Sequence, residues 1–549
     1  MQEISHRNEL DGTHPRHYNL TNMKSRSKPE YEAKAQMSEK NSNCSRSFLI
    51  LLGGLLFTNS AHALELDWSG QFRAEYNFVN NYSLDSTAAA ESTDAARAAA
   101  GGYYIPSGGS SQASFQTLFL RLRPKLVVND NVYVKSEWWV GNPVSGFFGG
   151  AVPYTSDSRQ FYSNQSRGSS LTAQRFWAEI LTDLGTAQVG RAPLHWGLGL
   201  VWNSGEGLWD RYMSTADTVR LVSKFGSFSI VPGVNFYSAG NTVGGASTFS
   251  TAGGGTYTTN GGDGGVREYS LQLKYENLDE EVEGGVNFVR RLSGAAQDPN
   301  GGLLGALGTA GSSNYNIWDL YAKKRLGRFT IAAEAPVTQG NVSGLDYSTW
   351  AVASELGFKL DDNWDFSLKA GRAPGQPNSA GAIPDSFRAF FFNPAYRLGM
   401  IMFNYQLANF AGPNMANNPA ISEASLRSIY DNPIVNASYL MFKGVAKVEK
   451  WSFDMAMIYA VADVAAQSGQ KFYNTWSRSI PTAVAVSNQD KSLGFETDLA
   501  ATLHWDDAFL FRSEFGFFMP GGFYKFSNTA TENQTATAVA AALKVGVQF

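Results

Sequence analysis

Apolar and polar residues alternate along most of the chain after residue 63. In LELDWSGQFRAEYNF (64–78), Leu64, Leu66, Trp68, Gly70, Phe72, Ala74, Tyr76 and Phe78 fall on one face. Glu65, Asp67, Ser69, Gln71, Arg73, Glu75 and Asn77 fall on the other. Successive side chains of a strand point to opposite faces, so the segment predicts a strand with one apolar and one polar side. The pattern recurs at Leu118 to Leu126, Glu268 to Glu276, Leu493 to Trp505 and Phe509 to Phe517. At about fifteen residues the first strand exceeds the usual five or six. It suits a tilted strand crossing a bilayer, which needs about 9–11 residues for the hydrocarbon core.

The connections alternate in length. Short turns are expected at Asn129-Asp130-Asn131, Asp183-Leu184-Gly185, Gly226-Ser227, Asn277 to Glu280, Gly327-Arg328, Asp361-Asp362-Asn363, Glu449-Lys450 and Asp506-Asp507. Asn, Asp and Gly tolerate the positive φ of tight hairpins. Between them lie longer polar stretches at 81–113, 142–170, 196–214, 238–265, 292–313, 338–346, 374–433, 463–490 and 519–536. Short turns on one side and long loops on the other are the asymmetry of outer-membrane barrels. Eight turns join sixteen strands, and the first and last strands raise the count to about eighteen. The apolar segment FRAFFFNPAYRLGMIMFNY (387–405) breaks that even count if it is a strand. It is assigned to the seventh long loop, folded into or over the lumen. The fold class is therefore all-β: a transmembrane, antiparallel, up-and-down β-barrel with short periplasmic turns and long external loops. A soluble sandwich is the rival, but its strands are short and its polar face meets bulk water.

Aromatic residues beside the short turns (Phe225, Phe228, Phe329, Trp364, Trp451, Trp505, Phe509) suit a membrane interface. The last strand alternates through Val539, Ala541, Leu543, Val545 and Val547 to the terminal Phe549. Phe549 is read as the signal through which the assembly machinery of the outer membrane recognises the chain.

Residues 1–63 read as an N-terminal extension and cleaved signal peptide. The apolar core FLILLGGLLF (48–57) follows Lys40 and Arg46, and Ala61-His62-Ala63 offers small residues for a cut after Ala63. Ten apolar residues are too few to span the bilayer. Met37 would give a leader of ordinary length. Residues 64–549 then form one barrel domain.

Composition narrows the chemistry. Charged residues make up 17% of the chain, aromatics 13%, and mean hydropathy is −0.23. Without the leader, basic residues number 36 and acidic ones 42, which argues against nucleic acid as partner. The one cysteine, Cys44, and four of six histidines lie in the leader. This removes disulfides, thiol catalysis and His-rich metal sites, and no cofactor is implied. Of the remaining histidines, His504 is expected near a periplasmic turn and His195 near the outer rim. Neither has a nucleophile motif beside it, so an enzyme is disfavoured.

With apolar residues facing lipid, the other face lines the interior. The candidate pore-lining residues are Arg73, Arg121, Arg123, Lys125, Lys135, Glu137, Arg220, Lys274, Glu496, Asp498, Arg512 and Glu514. Charges inside a membrane element mark a water-filled path or a paired network. Arg73, Arg121, Arg123, Lys125 and Lys135 concentrate on the first three strands. They form either a basic wall facing acidic strands or a self-neutralised network. GRAP occurs at 190–193 and at 371–374, where alternation puts Arg191 and Arg372 on the lipid side as a repeated structural device. The tryptophan-rich loop WGLGLVWNSGEGLWDRY (196–212) is read as packed against the rim, with sugar stacking as the alternative.

The whole chain after residue 63 resembles Gram-negative outer-membrane β-barrels of the porin and alginate-export kind. VGRAPLHWGLG (189–199) and FFFNPAYRLGMIMF (390–403) are similar to segments of uncharacterised porin-like barrels. The resemblance implies the class and an outer-membrane location, with outer-membrane lipid as partner, and does not fix the substrate. An 18-stranded barrel is wide enough for an aqueous channel unless loops fill it, so passive diffusion of small hydrophilic solutes is the leading reading. A polysaccharide or sugar transport barrel and a plugged structural or adhesion barrel are the alternatives. Many porins are trimers, so it leaves oligomerisation open.

Overall fold

The computed structural model describes residues 65–549 except 83, 85–111, 142–170, 239–246, 251–255, 260–265, 294–312, 343, 382–383, 406, 408–431, 474–479, 481–482 and 529–531. The leader, its apolar core and the cut after Ala63 lie outside the described residues.

Eighteen antiparallel strands close into a barrel. They are β1 (Glu65–Asn80), β2 (Gln112–Asn129), β3 (Val132–Val140), β4 (Leu171–Thr182), β5 (Gly185–Pro193) and β6 (Thr215–Phe225). Next come β7 (Phe228–Ser238), β8 (Val266–Asn277), β9 (Val282–Ser293), β10 (Ser313–Leu326) and β11 (Phe329–Val342). β12 runs as Leu345–Trp350 and Val352–Lys359, interrupted at Ala351. The rest are β13 (Trp364–Ala373), β14 (Ala437–Val448), β15 (Trp451–Val461), β16 (Ser492–His504), β17 (Phe509–Pro520) and β18 (Ala538–Gln548). A small hairpin (Ser247–Ser250 with Thr256–Thr259) stands in the fourth loop, and Ser386–Phe387 adds a short parallel pairing to the first part of β12.

Each strand pairs with its sequence neighbours, and β18 pairs with β1 from Gln71↔Gln548 to Asn80↔Val539. The barrel sheet thus closes on itself without a free edge, which is the requirement for strands in lipid. The eight short turns all fall at the expected positions, seven of them on Asn, Asp or Gly and the eighth on Glu449-Lys450, where Glu449 takes φ +53°. Segment 387–405 contributes only Phe387 as strand, at the end of Ser386–Phe387, and otherwise lies inside the barrel.

Burial shows which way the strands face. Trp68, Phe176, Val219, Leu273, Trp318, Phe453 and Leu543 are exposed on the outside. Arg73, Glu75, Arg121, Glu137, Arg175, Glu268, Asp319, Glu334 and Glu496 are buried on the inside. Phe225, Phe228, Phe329, Trp364, Trp451 and Trp505 are exposed beside the short turns. The apolar exterior, the aromatic girdle and the polar interior define an integral outer-membrane β-barrel. At the C-terminus Gly70 N–H donates to Phe549 O at 2.7 Å and Phe549 N–H returns to Gly70 O at 3.1 Å.

The hydrophobic core sits inside the barrel. Phe390, Phe392, Tyr396, Leu398, Ile401, Met402 and Tyr405 of the seventh loop pack on inward Tyr439, Met441, Ile458, Ala460, Phe518 and Ala540. The external halves of β14 to β18 are thus mostly apolar on both faces, with Glu496 of β16 the inward carboxylate among them, while their periplasmic halves carry charge inward.

Candidate functional site

Eighteen strands spaced about 4.8 Å apart and tilted about 40° enclose a backbone ring roughly 36 Å across. Two loops fold inward into that space: loop 3 (194–214) and the described residues of loop 7 (374–381, 384–405, 407 and 432–436).

The wall holds the loop backbones by charge. Where a loop presents carbonyls, the wall presents arginines. Arg73 Nη1 donates to Leu208 O at 2.6 Å and to Asp210 O at 2.8 Å. Arg121 donates to Gly205 O at 2.9 Å and Arg175 to Ser204 O, and Arg220 donates at 3.0 Å to the O of Pro193, the last residue of β5, where loop 3 departs. Where a loop presents N–H groups, the wall presents carboxylates. Glu334 accepts from Gly199 N at 2.9 Å and Leu200 N at 3.0 Å. Glu496 accepts from Ile401 N at 2.7 Å and Met402 N at 2.5 Å, and Asp498 from Met400 N at 2.9 Å. Such charge-assisted bonds are the stronger class of hydrogen bond.

Glycine permits both docks. Gly197 has φ +56°, and a Cβ there would meet Glu334 Oε2 at 2.5 Å. A Cβ on Gly399 would meet Glu496 Oε1 and Ile458 Cδ1, both at 2.7 Å. Both glycines stand where a loop backbone comes against a wall carboxylate.

The basic residues of β1 to β3 are neutralised in place rather than set against a distant acidic wall. Glu137 receives Arg121 (3.5 Å), Arg123 (3.0 Å) and Arg175 (3.1 Å). Loop 3 adds Glu206, which meets Arg175 at 2.9 Å and also pairs with Arg123. Lys125 pairs with Asp67 at 3.3 Å and Lys135 with Glu179 at 2.8 Å. Lys274 meets Glu283 at 2.7 Å, and Arg220 also contacts Gln188. Arg73, Arg121, Glu137 and Glu496 are covered by the loops, whereas Arg123, Lys125, Lys135 and Lys274 keep about a third of their side chains open.

Beside it, across the β18–β1 closure, a second chain of charges crosses β14 to β18. Lys443 meets Asp454 at 3.6 Å, Asp454 meets Arg512 at 2.8 Å, and Arg512 meets Glu514 at 2.6 Å. Glu514 meets Lys544 at 2.5 Å, and Arg211 of loop 3 pairs with Glu75 on β1. Between this ladder and the two loops lies a cleft of about 200 Å³. Its lining includes five basic residues (Arg211, Arg397, Lys443, Arg512, Lys544) and three acidic ones (Asp454, Asp498, Glu514). Arg397, in loop 7, has no carboxylate within ion-pair distance among the described residues. It donates to Asn404 Oδ1 at 3.4 Å and Trp209 O at 3.5 Å. Trp209 also lies 5.3 Å from Lys544 Nζ across its ring. The other two loop 3 tryptophans, Trp196 and Trp202, are buried.

Of the sequence candidates, Asp498, Arg512 and Glu514 line this cleft. Lys443, Asp454 and Lys544 were within reach of strand alternation, since they share the inward faces of β14, β15 and β18. Arg211 and Arg397 lie on loops without periodicity and had no sequence signal. His195 accepts a bond from Ser204 N at 3.3 Å on loop 3. His504 ends β16 at the periplasmic side.

The two GRAP copies meet acids outside the lumen. Arg191 is exposed and pairs with Asp217 at 2.7 and 3.0 Å. Arg372 pairs with Asp463 at 2.9 Å and lies 4.9 Å over the Trp350 ring.

No protein-family model matches the chain, and no curated protein matches it. Among solved structures, the chain is similar to the outer membrane protein OprD of Pseudomonas aeruginosa, with 9% identity, TM-score 0.45 and coverage of 88% of this chain and 93% of that one. It is similar to OccK9 (OpdG) of the same organism, with 10% identity, TM-score 0.45 and coverage of 88% and 99%. It is also similar to OmpT, an outer membrane protein of Vibrio cholerae, with 8% identity, TM-score 0.34 and coverage of 89% and 99%.

Proposed function

We propose that the chain is an outer-membrane channel of narrow bore for passive diffusion of small hydrophilic solutes. The observation that carries this reading is the charged cleft, set between two loops that are themselves pinned to the wall. Charges are costly in a membrane protein unless they face water or each other, and here they do both. In this reading the cleft gives water and small ions a polar route past the loops, whereas a polymer chain needs the space that loops 3 and 7 fill. A polysaccharide exporter is disfavoured on that ground.

In this reading the candidate residues divide their work. Arg73, Arg121, Glu137, Arg220 and Glu496 position the loops that set the bore. Asp498, Arg512 and Glu514 border the narrow passage, and Arg123, Lys125, Lys135 and Lys274 line the wider polar wall. Phe549, at the end of the last strand, serves as the recognition residue for outer-membrane assembly. The excess of basic over acidic lining residues gives a mild preference for anions.

Liposome swelling with a graded series of uncharged sugars tests the reading. Entry of the smallest sugars with a sharp loss at disaccharide size supports it. Equal entry of oligosaccharides, or no entry of any solute or ion, overturns it.

A further inference from the structure

The outside of the barrel carries charge where lipid is expected. One row of paired positions runs across β5 to β10 as Arg191↔Asp217, Asp217↔Phe236, Phe236↔Arg267, Arg267↔Leu292 and Leu292↔Asn314. Arg191, Asp217, Arg267 and Asn314 of this row are exposed. Every member lies within three residues of the strand end that feeds a long loop. Arg290 lies one outward position deeper on β9, opposite Tyr269, and is also exposed.

Below these positions the outward side chains turn apolar: Val219, Leu271, Leu273 and Leu320 are exposed there. From Arg267 to the periplasmic end of β8 at Asn277, ten steps of about 3.4 Å, tilted about 40°, rise roughly 26 Å. That is the height of the apolar band in barrels of this kind, about 25 Å. Arg267 therefore stands at headgroup depth on the external side, and Arg290, two residues or about 5 Å deeper, reaches that depth by extending its side chain outward along the barrel.

Arg191 is matched by Asp217, but the other two have no such match. Among the described residues, Arg290 donates only to Asn314 Oδ1, at 3.4 Å, and Arg267 makes no hydrogen bond or ion pair. Arg267 and Arg290 are diagonal neighbours in the β8–β9 register, so two like charges lie roughly 7–8 Å apart at Cα with no anion between them among the described residues. Phe236, Tyr269 and Trp318 flank them, each exposed. Paired guanidinium forks are suited to phosphate oxygens, and exposed aromatic rings to the boundary between headgroup and acyl chain.

We propose that Arg267 and Arg290, with Asn314, form a lipid-facing site for the phosphate groups of an outer-leaflet phosphoglycolipid of the lipid A type. The site is independent of solute passage and does not depend on what the lumen conducts.

Native mass spectrometry of the refolded, delipidated chain in detergent tests this. Parallel probes are diphosphoryl lipid A, dephosphorylated lipid A, phosphatidylglycerol and inorganic phosphate. The expected result is retention of diphosphoryl lipid A at least about tenfold above the dephosphorylated form. The double variant Arg267→Gln/Arg290→Gln should fall to the dephosphorylated level, Arg267→Lys/Arg290→Lys should retain binding, and Arg191→Gln should leave it unchanged. Folding of each variant is verified by its heat-modifiable migration. A folded glutamine double variant that binds like the original chain overturns the proposal. So does equal retention of phosphatidylglycerol, or displacement of lipid A by millimolar inorganic phosphate, which would mean an unspecific anion site.

Discussion

Replacing Glu496 by alanine probes how loop 7 is held. The carboxylate is fully buried and accepts two backbone N–H groups, from Ile401 and Met402. Removing it leaves both donors in a dry pocket, at roughly 1–3 kcal/mol each, or about 2–6 kcal/mol together. Relief of repulsion between Glu496 and its strand neighbour Asp498 offsets part of this and favours the lower half of that range. Opposing release are Phe390, Phe392, Tyr396, Ile401 and Met402, all buried, which contribute about 1.5–3 kcal/mol each. The apolar anchor wins, so the loop stays docked most of the time. Its undocked population nevertheless rises by a factor of roughly 30 or more, at about 1.4 kcal/mol per tenfold. Single-channel recording reads this directly. The main conductance step should be unchanged, with brief excursions to a larger step many times more frequent than in the original chain. Glu496→Gln keeps one acceptor oxygen and should fall between. Recordings from a folded Glu496→Ala barrel that match the original in amplitude and noise would refute the reasoning.

Gly399→Val should give a stronger effect than Glu496→Ala, because a Cβ there meets both Glu496 and Ile458 at 2.7 Å; a more frequent large step in the same recordings checks it. Arg397→Gln removes the cleft guanidinium that has no carboxylate partner among the described residues, and should move the reversal potential in a salt gradient toward cation selectivity without lowering thermal stability. Arg121→Gln takes a cation from Glu137 and a donor from Gly205 O, and should lower the barrel's unfolding temperature measurably while leaving selectivity nearly unchanged. Deleting Phe549 should slow assembly into bilayers severalfold in a refolding time course, while barrels that do form conduct normally.

The wall of this barrel is legible because alternation and turn chemistry act locally. Leu118 to Leu126, Glu268 to Glu276 and Phe509 to Phe517 announce both strand and facing, and each Asn/Asp/Gly cluster at a short turn became a hairpin. The same alternation placed Arg191 and Arg372 outward, although their acids, Asp217 and Asp463, stand 26 and 91 residues away. The lumen is less legible, since its partners meet across the barrel. Arg211 reaches Glu75 over 136 residues, and Ile401 reaches Glu496 over 95. No period links a loop carbonyl to the arginine that receives it. A basic cluster on β1 to β3 therefore read equally as a field or as a network until Glu137 and Glu206 were seen at its centre. The apolar segment 387–405 illustrates the same limit. Its composition suits lipid or core alike, and only the inward apolar patch of β14 to β18 decides for core.

Conductance of the unmodified chain in planar bilayers, with reversal potential under a salt gradient, bears most directly on the central claim. Small, steady steps with a modest anion preference are the expected result of a lumen narrowed by loops 3 and 7 around a net basic cleft. Large, unselective steps would show that the loops do not set the bore, and complete silence would show a sealed barrel; either would contradict the proposed function.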